Sequence, residues 1–204
     1  GAPHQARLRA ILGVDVFGQP ADWDALHAIA DPHGLTLIED SCEALGAEYK
    51  GRPAGVLAEC GVFAFYPNKQ ITTGEGGVIV TNDDTAAARM LALRNQGRAP
   101  GDNWLQHTYL GYNYRLDEMS AALGAVQMSR LDELMRKREQ VAAHYARLLA
   151  GVNGVETPTI LPSTTRTSWF VYVIRLARGL DRTAIAARLA DLGIPVRPYF
   201  LPIH

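Results

Sequence analysis

The chain has 204 residues, 48% hydrophobic and 20% charged, with a net charge of −1. That length gives room for a full core and a second, smaller domain, and the charge gives no electrostatic reason for a nucleic acid or an anionic membrane as partner. No apolar stretch is long enough to span a bilayer. Arg136-Lys137-Arg138 is the one dense basic run, and Glu133 and Glu139 flank it on a predicted helix, so it reads as a solvated face. Cys42 and Cys60 lack paired spacing or a histidine at metal-ligand distance. This argues against a disulfide framework or a zinc site and fits a reducing cytoplasm. Gly1–Arg9 lacks the apolar core of a signal peptide and has no initiator methionine.

Ala10–Val16 reads as a buried strand closed by the turn Phe17-Gly18-Gln19-Pro20. A helix is expected from about Ala21 to His33, with Trp23, Leu26, Ile29 and Ala30 on one face and Gly34 as its stop. Leu35–Ile38 is the next strand and ends in Glu39-Asp40. Val62–Tyr66 and Gly77–Thr81 are two more strands, and Asp84–Asn95 is a helix with Gly97 just beyond it. Strands alternating with helices predict an α/β fold with a mostly parallel sheet covered on both faces.

Pro100–Tyr114 is a polar, aromatic loop. A long helix is expected from about Leu116 to Ala150, its apolar residues recurring at helical spacing and its end marked by Gly151. Val152–Thr167, with Pro158, Pro162 and several threonines, reads as a linker. Strand Ser168–Leu176, helix Arg182–Leu192 and extended Ile194–Tyr199 read as the start of a small α+β domain. The expected organisation is a large domain over 1–115, a connecting helix over 116–150 and a small domain over 151–204. The six histidines are scattered without ligand spacing, and only His107 and His204 lie in segments that face a substrate on this reading.

Lys69 is the residue that carries chemistry. It follows the apolar run Phe63–Tyr66 and Pro67, and precedes a loop of hydroxyls and glycines, Thr72 to Gly77. A lysine at the mouth of an apolar strand is partly desolvated, which frees its amine to attack a carbonyl. Asp40 ends another strand, and ligands of open α/β sheets sit beyond the carboxyl ends of strands. A lysine and an aspartate so placed are the two groups that pyridoxal phosphate (PLP) chemistry requires: one condenses with the aldehyde, the other keeps the pyridine nitrogen protonated. The bland readings are a solvated lysine, a turn-capping aspartate and a hairpin-like threonine–glycine turn.

The runs Phe17–Asp22, Ile38–Ala47, Phe63–Gly77, Arg94–Arg98 and Gly111–Leu116 resemble the DegT/DnrJ/EryC1/StrS aminotransferases, in the same order. These are fold type I PLP enzymes that aminate keto groups on nucleotide-linked sugars or cyclitols. The resemblance implies pyridoxal 5'-phosphate as cofactor, Lys69 as Schiff-base lysine and Asp40 as partner of the pyridine nitrogen. It implies Asn113 and Arg115 as groups offered across a homodimer with a shared active site, near the cofactor phosphate or substrate. Glu43 falls near the ring, where many members carry glutamine or histidine, and Ala64 where many carry a phosphate-binding serine. A carboxylate cannot donate a hydrogen bond unless protonated, and a methyl group cannot donate at all.

The activity so implied moves an amino group from glutamate to a keto sugar on a nucleotide, with the Lys69 amine as general acid and base. Members of the family begin before Gly1 and continue past His204, so the chain resembles a fragment. If the molecule begins at Gly1, weak PLP binding and poor activity are expected. Two other readings stand beside this one. The first is a non-catalytic regulatory or structural relative, which would stay colourless with PLP. The second is a PLP-dependent sugar dehydratase, whose pattern Cys42 and Glu43 resemble but which carries histidine in place of the lysine.

Overall fold

A computed structural model describes residues 8–198. Strand β1 (Ala10–Val14) leads through a tight 3₁₀ turn into helix α1 (Trp23–Ala30). Asp22 caps that helix by accepting the Ala25 N–H, and Gly34 closes its 3₁₀ extension in the left-handed region at φ 59°. Then come β2 (Thr36–Asp40), the short pair β3 (Glu48–Tyr49) and β4 (Arg52–Pro53), β5 (Cys60–Ala64), β6 (Gly77–Thr81) and helix α2 (Asp84–Arg94). The main sheet runs β1-β2-β5-β6, parallel across the first three strands and antiparallel at its β6 edge. The architecture is thus α/β with a mixed, mostly parallel sheet, as expected.

Register settles which side chains share a face. Leu37 and Glu39 of β2 fall on the face of Ile11, Gly13, Gly61 and Phe63. Helix α1 covers that face: Trp23 and Leu37 are buried together with Ala30, Tyr49 and Leu57, and Ile11 and Leu26 pack against them. A Cβ on Gly13 would lie 2.9 Å from the Trp23 ring, so the glycine admits the indole. Asp40 lies on the opposite face, with Val62 and Ala64. Coverage of both faces was expected, but among the described residues this second face is open. Its Leu12, Val14 and Ile79 are 58%, 43% and 50% exposed.

The single helix expected over 116–150 is two helices, α3 (Glu118–Met128) and α4 (Leu131–Leu149). Asp117 caps α3 by accepting the Ser120 N–H. The break has a local cause: the Ser129 hydroxyl bonds back to the Val126 carbonyl, and Arg130 turns to φ −105°, ψ 8°. Three short strands follow, β7 (Val155–Glu156), β8 (Thr164–Arg166) and β9 (Arg175–Leu176), and then helix α5 (Arg182–Asp191). The expected linker therefore contributes to sheets, since β8 pairs with β3 and β7 with β9.

The expected strand Ser168–Leu176 is a strand only at Arg175–Leu176. Residues 168–170 instead fold as an irregular strap against the Lys69 loop. Trp169 takes φ 50°, and its ring stacks on Tyr172, which stacks on Tyr145 of α4. Gly18, at φ 91°, lets the strap approach: a Cβ there would meet the Ser168 hydroxyl at 2.3 Å. Tyr199, His4 and His204 lie outside the described residues.

Candidate active site

Three parallel strands deliver polar groups to one edge of the sheet. Asp15 follows β1, Asp40 ends β2, and Lys69 lies in the 65–76 connection after β5. That connection joins antiparallel strands, which explains its hydroxyls. Thr72 Oγ1 donates to the Phe65 carbonyl and accepts the Gly74 N–H, Thr73 Oγ1 donates to the Glu75 carbonyl, and Phe65 N–H bonds Gly76 O. Gln127 of α3 clamps Thr72 from outside, its side-chain amide bonding both Thr72 N–H and Thr72 O. The threonines and glycines thus serve the hairpin, which is their bland reading.

Lys69 is not a solvated surface lysine. Its side chain is 14% exposed, and its Nζ lies 3.7 Å from Glu43 Oε1, whose side chain is 12% exposed. The Phe170 ring lies 4.5 Å from the same nitrogen. Glu43 is fixed at both ends. Its Oε2 accepts the Phe17 N–H at 2.8 Å, and its carbonyl accepts from Gln70 Nε2 at 2.5 Å and from Ser168 Oγ at 2.8 Å. Arg138 of α4 ties the strap to the lysine loop by donating to the carbonyls of Trp169, Phe170 and Lys69. Burial alone pulls its guanidinium below the usual range.

Asp40 Oδ1 accepts the Cys42 N–H at 3.1 Å, so it does cap a turn. The Cys42 thiol is half-buried. Burial pushes it up to about 12, the neighbouring Asp40 and Glu43 carboxylates push it the same way, and the Lys69 ammonium opposes them. Such a thiol holds almost no thiolate at pH 8. Iodoacetamide is expected to alkylate Cys42 at least about 10²-fold more slowly than an unperturbed thiol, read by peptide mass; alkylation at the free-thiol rate would contradict this surrounding.

Asn113 and Arg115 both engage Asn95. Asn113 forms an isolated antiparallel bridge with Asn95, and Arg115 Nη1 donates to Asn95 Oδ1 at 2.8 Å. Both are exposed. Among the described residues, none of their hydrogen bonds or ion pairs reaches Lys69, Asp40 or Glu43. His107 is also exposed, and its Nδ1 lies 2.8 Å from the Gln96 carbonyl.

Sequence reasoning missed three residues and one segment that build the Lys69 surroundings: Phe17, Gln70, Arg138 and the Ser168–Phe170 strap. Gln70 alone carried a signal, adjacency to the lysine. The others contact it across tens of residues, and no local pattern marks such a contact.

The groups present fit PLP. A buried primary amine suits its aldehyde, and a carboxylate on the open sheet face suits its ring nitrogen. Ala64, on that same face, offers no hydroxyl to the phosphate. Among the described residues, no helix is long and apolar enough to cross a membrane.

The sequence profile of the DegT/DnrJ/EryC1/StrS aminotransferase family matches residues 4–204. The chain is 41% identical over 200 residues to GDP-perosamine synthase of Caulobacter vibrioides, covering 97% of this chain and 54% of that protein. It is 38% identical over 200 residues to dTDP-3-amino-3,4,6-trideoxy-alpha-D-glucose transaminase of Streptomyces venezuelae, covering 97% and 51%. Among solved structures, PseC of Helicobacter pylori, an aminotransferase involved in the biosynthesis of pseudoaminic acid, superposes with a TM-score of 0.90 at 30% identity. That match covers 96% of this chain and 53% of PseC. The chain spans about half the length of the curated relatives it matches, and PLP is the cofactor of the family. With its match running from residue 4 to residue 204, the chain belongs to the DegT/DnrJ/EryC1/StrS aminotransferase family.

Proposed function

We propose that this chain carries the cofactor lysine of a PLP-dependent aminotransferase. The enzyme moves an amino group from glutamate to a keto group on a nucleotide-linked sugar or cyclitol. The observation that carries the reading is the enclosed Lys69 amine, held beside Glu43 and Phe170 at the sheet edge where Asp40 also ends its strand. The sugar products in the names of the Caulobacter and Streptomyces relatives support the acceptor class.

When bound, PLP supplies an electrophilic aldehyde and a ring that accepts electrons released at the substrate carbon. Lys69 would hold it through its amine and move protons at Nζ as general acid and base. Asp40 would keep a proton on the ring nitrogen. Asn113 and Arg115, both exposed, reach the site of a second subunit. Met119, Leu123 and Val126 of α3, exposed along one side of that helix, supply an apolar stripe for the homodimer contact. The chain falls into a large domain over 1–115, the α3–α4 connection over 116–150 and a small domain over 151–204. Two free cysteines suit the cytoplasm.

The test is colour. Protein mixed with PLP should turn yellow and bleach with glutamate, and keto sugar nucleotides should then gain an amino group by product mass. A protein that stays colourless at saturating PLP would overturn the reading and favour a regulatory relative.

A further inference from the structure

Glu43 is enclosed beside Lys69, and its surroundings give the carboxylate a task of its own. We infer that Glu43 is the positioning residue of Lys69: its carboxylate holds the free lysine amine as an ammonium and restrains it from attack. The inference rests on Lys69 being the cofactor lysine.

Three observations support it. Glu43 Oε1 lies 3.7 Å from Lys69 Nζ, and both side chains are largely withdrawn from solvent, where an opposite charge is weakly screened. Glu43 cannot swing away, because its other oxygen accepts the Phe17 N–H and its carbonyl is bound by Gln70 and Ser168. Phe17 itself sits in the left-handed region at φ 61°, uncommon for a bulky residue, and the bond to Glu43 engages its N–H there. The Phe170 ring also faces the nitrogen, and an aromatic face favours a cation.

The other titratable groups in this region are Asp40, at the end of β2, and the Cys42 thiol, which burial keeps neutral. Arg138 reaches the backbone carbonyl of Lys69 from α4. An ammonium has no lone pair, so Lys69 reacts with a carbonyl only after losing a proton, and the carboxylate opposes that loss.

The test uses cofactor-free protein, methylated with formaldehyde and cyanoborohydride and read peptide by peptide. In Glu43→Gln the amide oxygen can still accept the Phe17 N–H, so only the charge is removed. Lys69 should methylate about ten-fold faster near neutral pH than in the parent, with the difference shrinking at high pH as the parent amine also loses its proton. Lys50 and Lys137, exposed and paired with Asp24 and Glu133, serve as references and should not change. Glu43→Asp keeps the charge at shorter reach and should fall between. A Lys69 rate within about two-fold of the parent at neutral pH, or an acceleration that persists unchanged at high pH, would overturn the inference. If circular dichroism shows that Glu43→Gln does not fold, Glu43→Asp decides: a rate equal to the parent's overturns it. Trapping of PLP by borohydride is a separate reading. Trapping at Lys69 with no Glu43 effect sinks the Glu43 role alone, and a Glu43 effect without trapping sinks the cofactor reading alone.

Discussion

Replacing Lys69 by alanine is expected to lower amino-group transfer from glutamate by about 10³-fold or more while leaving the fold intact. The chain offers no second amine to take over. Lys50 and Lys137, the other lysines, are exposed and paired with Asp24 and Glu133. Loss of the lysine removes the group that holds the cofactor aldehyde and the base that moves the proton. The fold should tolerate the change because the structural bonds of the loop are made by Thr72, Thr73, Gln70 and the Lys69 carbonyl, not by the Lys69 amine. Bleaching of bound PLP by glutamate under stopped flow measures the effect, and a variant retaining more than about one-tenth of the parent rate would contradict it.

The second large effect concerns stability. Asp15 is fully buried behind the site. Its Oδ1 accepts Ala21 N–H and Trp23 Nε1–H, and its Oδ2 lies 2.9 Å from Ser41 Oγ. The same hydroxyl lies 2.8 Å from Glu39 Oε1, and Glu39 also accepts the N–H groups of Gly55 and Leu57. Ser41 has one hydrogen and cannot donate to both carboxylates. A proton on Asp15 completes the chain: Asp15 donates to Ser41, which donates to Glu39. Burial, reinforced by the nearby Glu39 carboxylate and opposed by the Ala21 N–H, pushes the Asp15 carboxyl from 3.8 up to about 7.

The sign follows from proton counting. Between about pH 4 and pH 7 the folded chain keeps a proton that the unfolded chain has released. This contribution is therefore full below the unfolded value and is lost as pH rises through about 7. Denaturant unfolding should show a loss from this group of about 2–3 kcal/mol between pH 5 and pH 8. Asp15→Asn keeps the acceptor for Ala21 and Trp23 and supplies a permanent N–H toward Ser41. Its stability should lack that decline, so that it exceeds the parent at pH 8. The same pH slope in the variant and the parent would show that Asp15 carries no proton in the fold.

Some strand ends were legible in the sequence from local chemistry, whereas β1 and β5 end at Val14 and Ala64, two residues before the expected Val16 and Tyr66. Gly77–Thr81 is a strand with the expected bounds, and Asp40 is the last residue of β2, because apolar alternation and turn residues are local signals. The break between α3 and α4 was not legible. It depends on one serine bonding backward within a run whose apolar spacing continues unbroken. The strap at 168–170 was expected as the start of strand Ser168–Leu176, yet it follows distant partners, Gly18, Glu43 and Arg138. The open sheet face escaped notice for a related reason. Apolar residues such as Leu12 and Val14 look the same in sequence whether or not something covers them.

The proximity of Glu43 to Lys69 lay beyond sequence reasoning too. Twenty-six residues separate them, and their meeting requires β2 and β5 to be neighbours with their carboxyl ends together. Strand order supplies that, and no motif states it.

Borohydride reduction of the protein with saturating PLP, followed by peptide mass spectrometry, tests the central claim most directly. The account predicts a phosphopyridoxyl group on the peptide containing Lys69, well above any on Lys50 or Lys137, and its disappearance in Lys69→Ala. Equal labelling of the three lysines, or a label confined to the exposed pair, would contradict it.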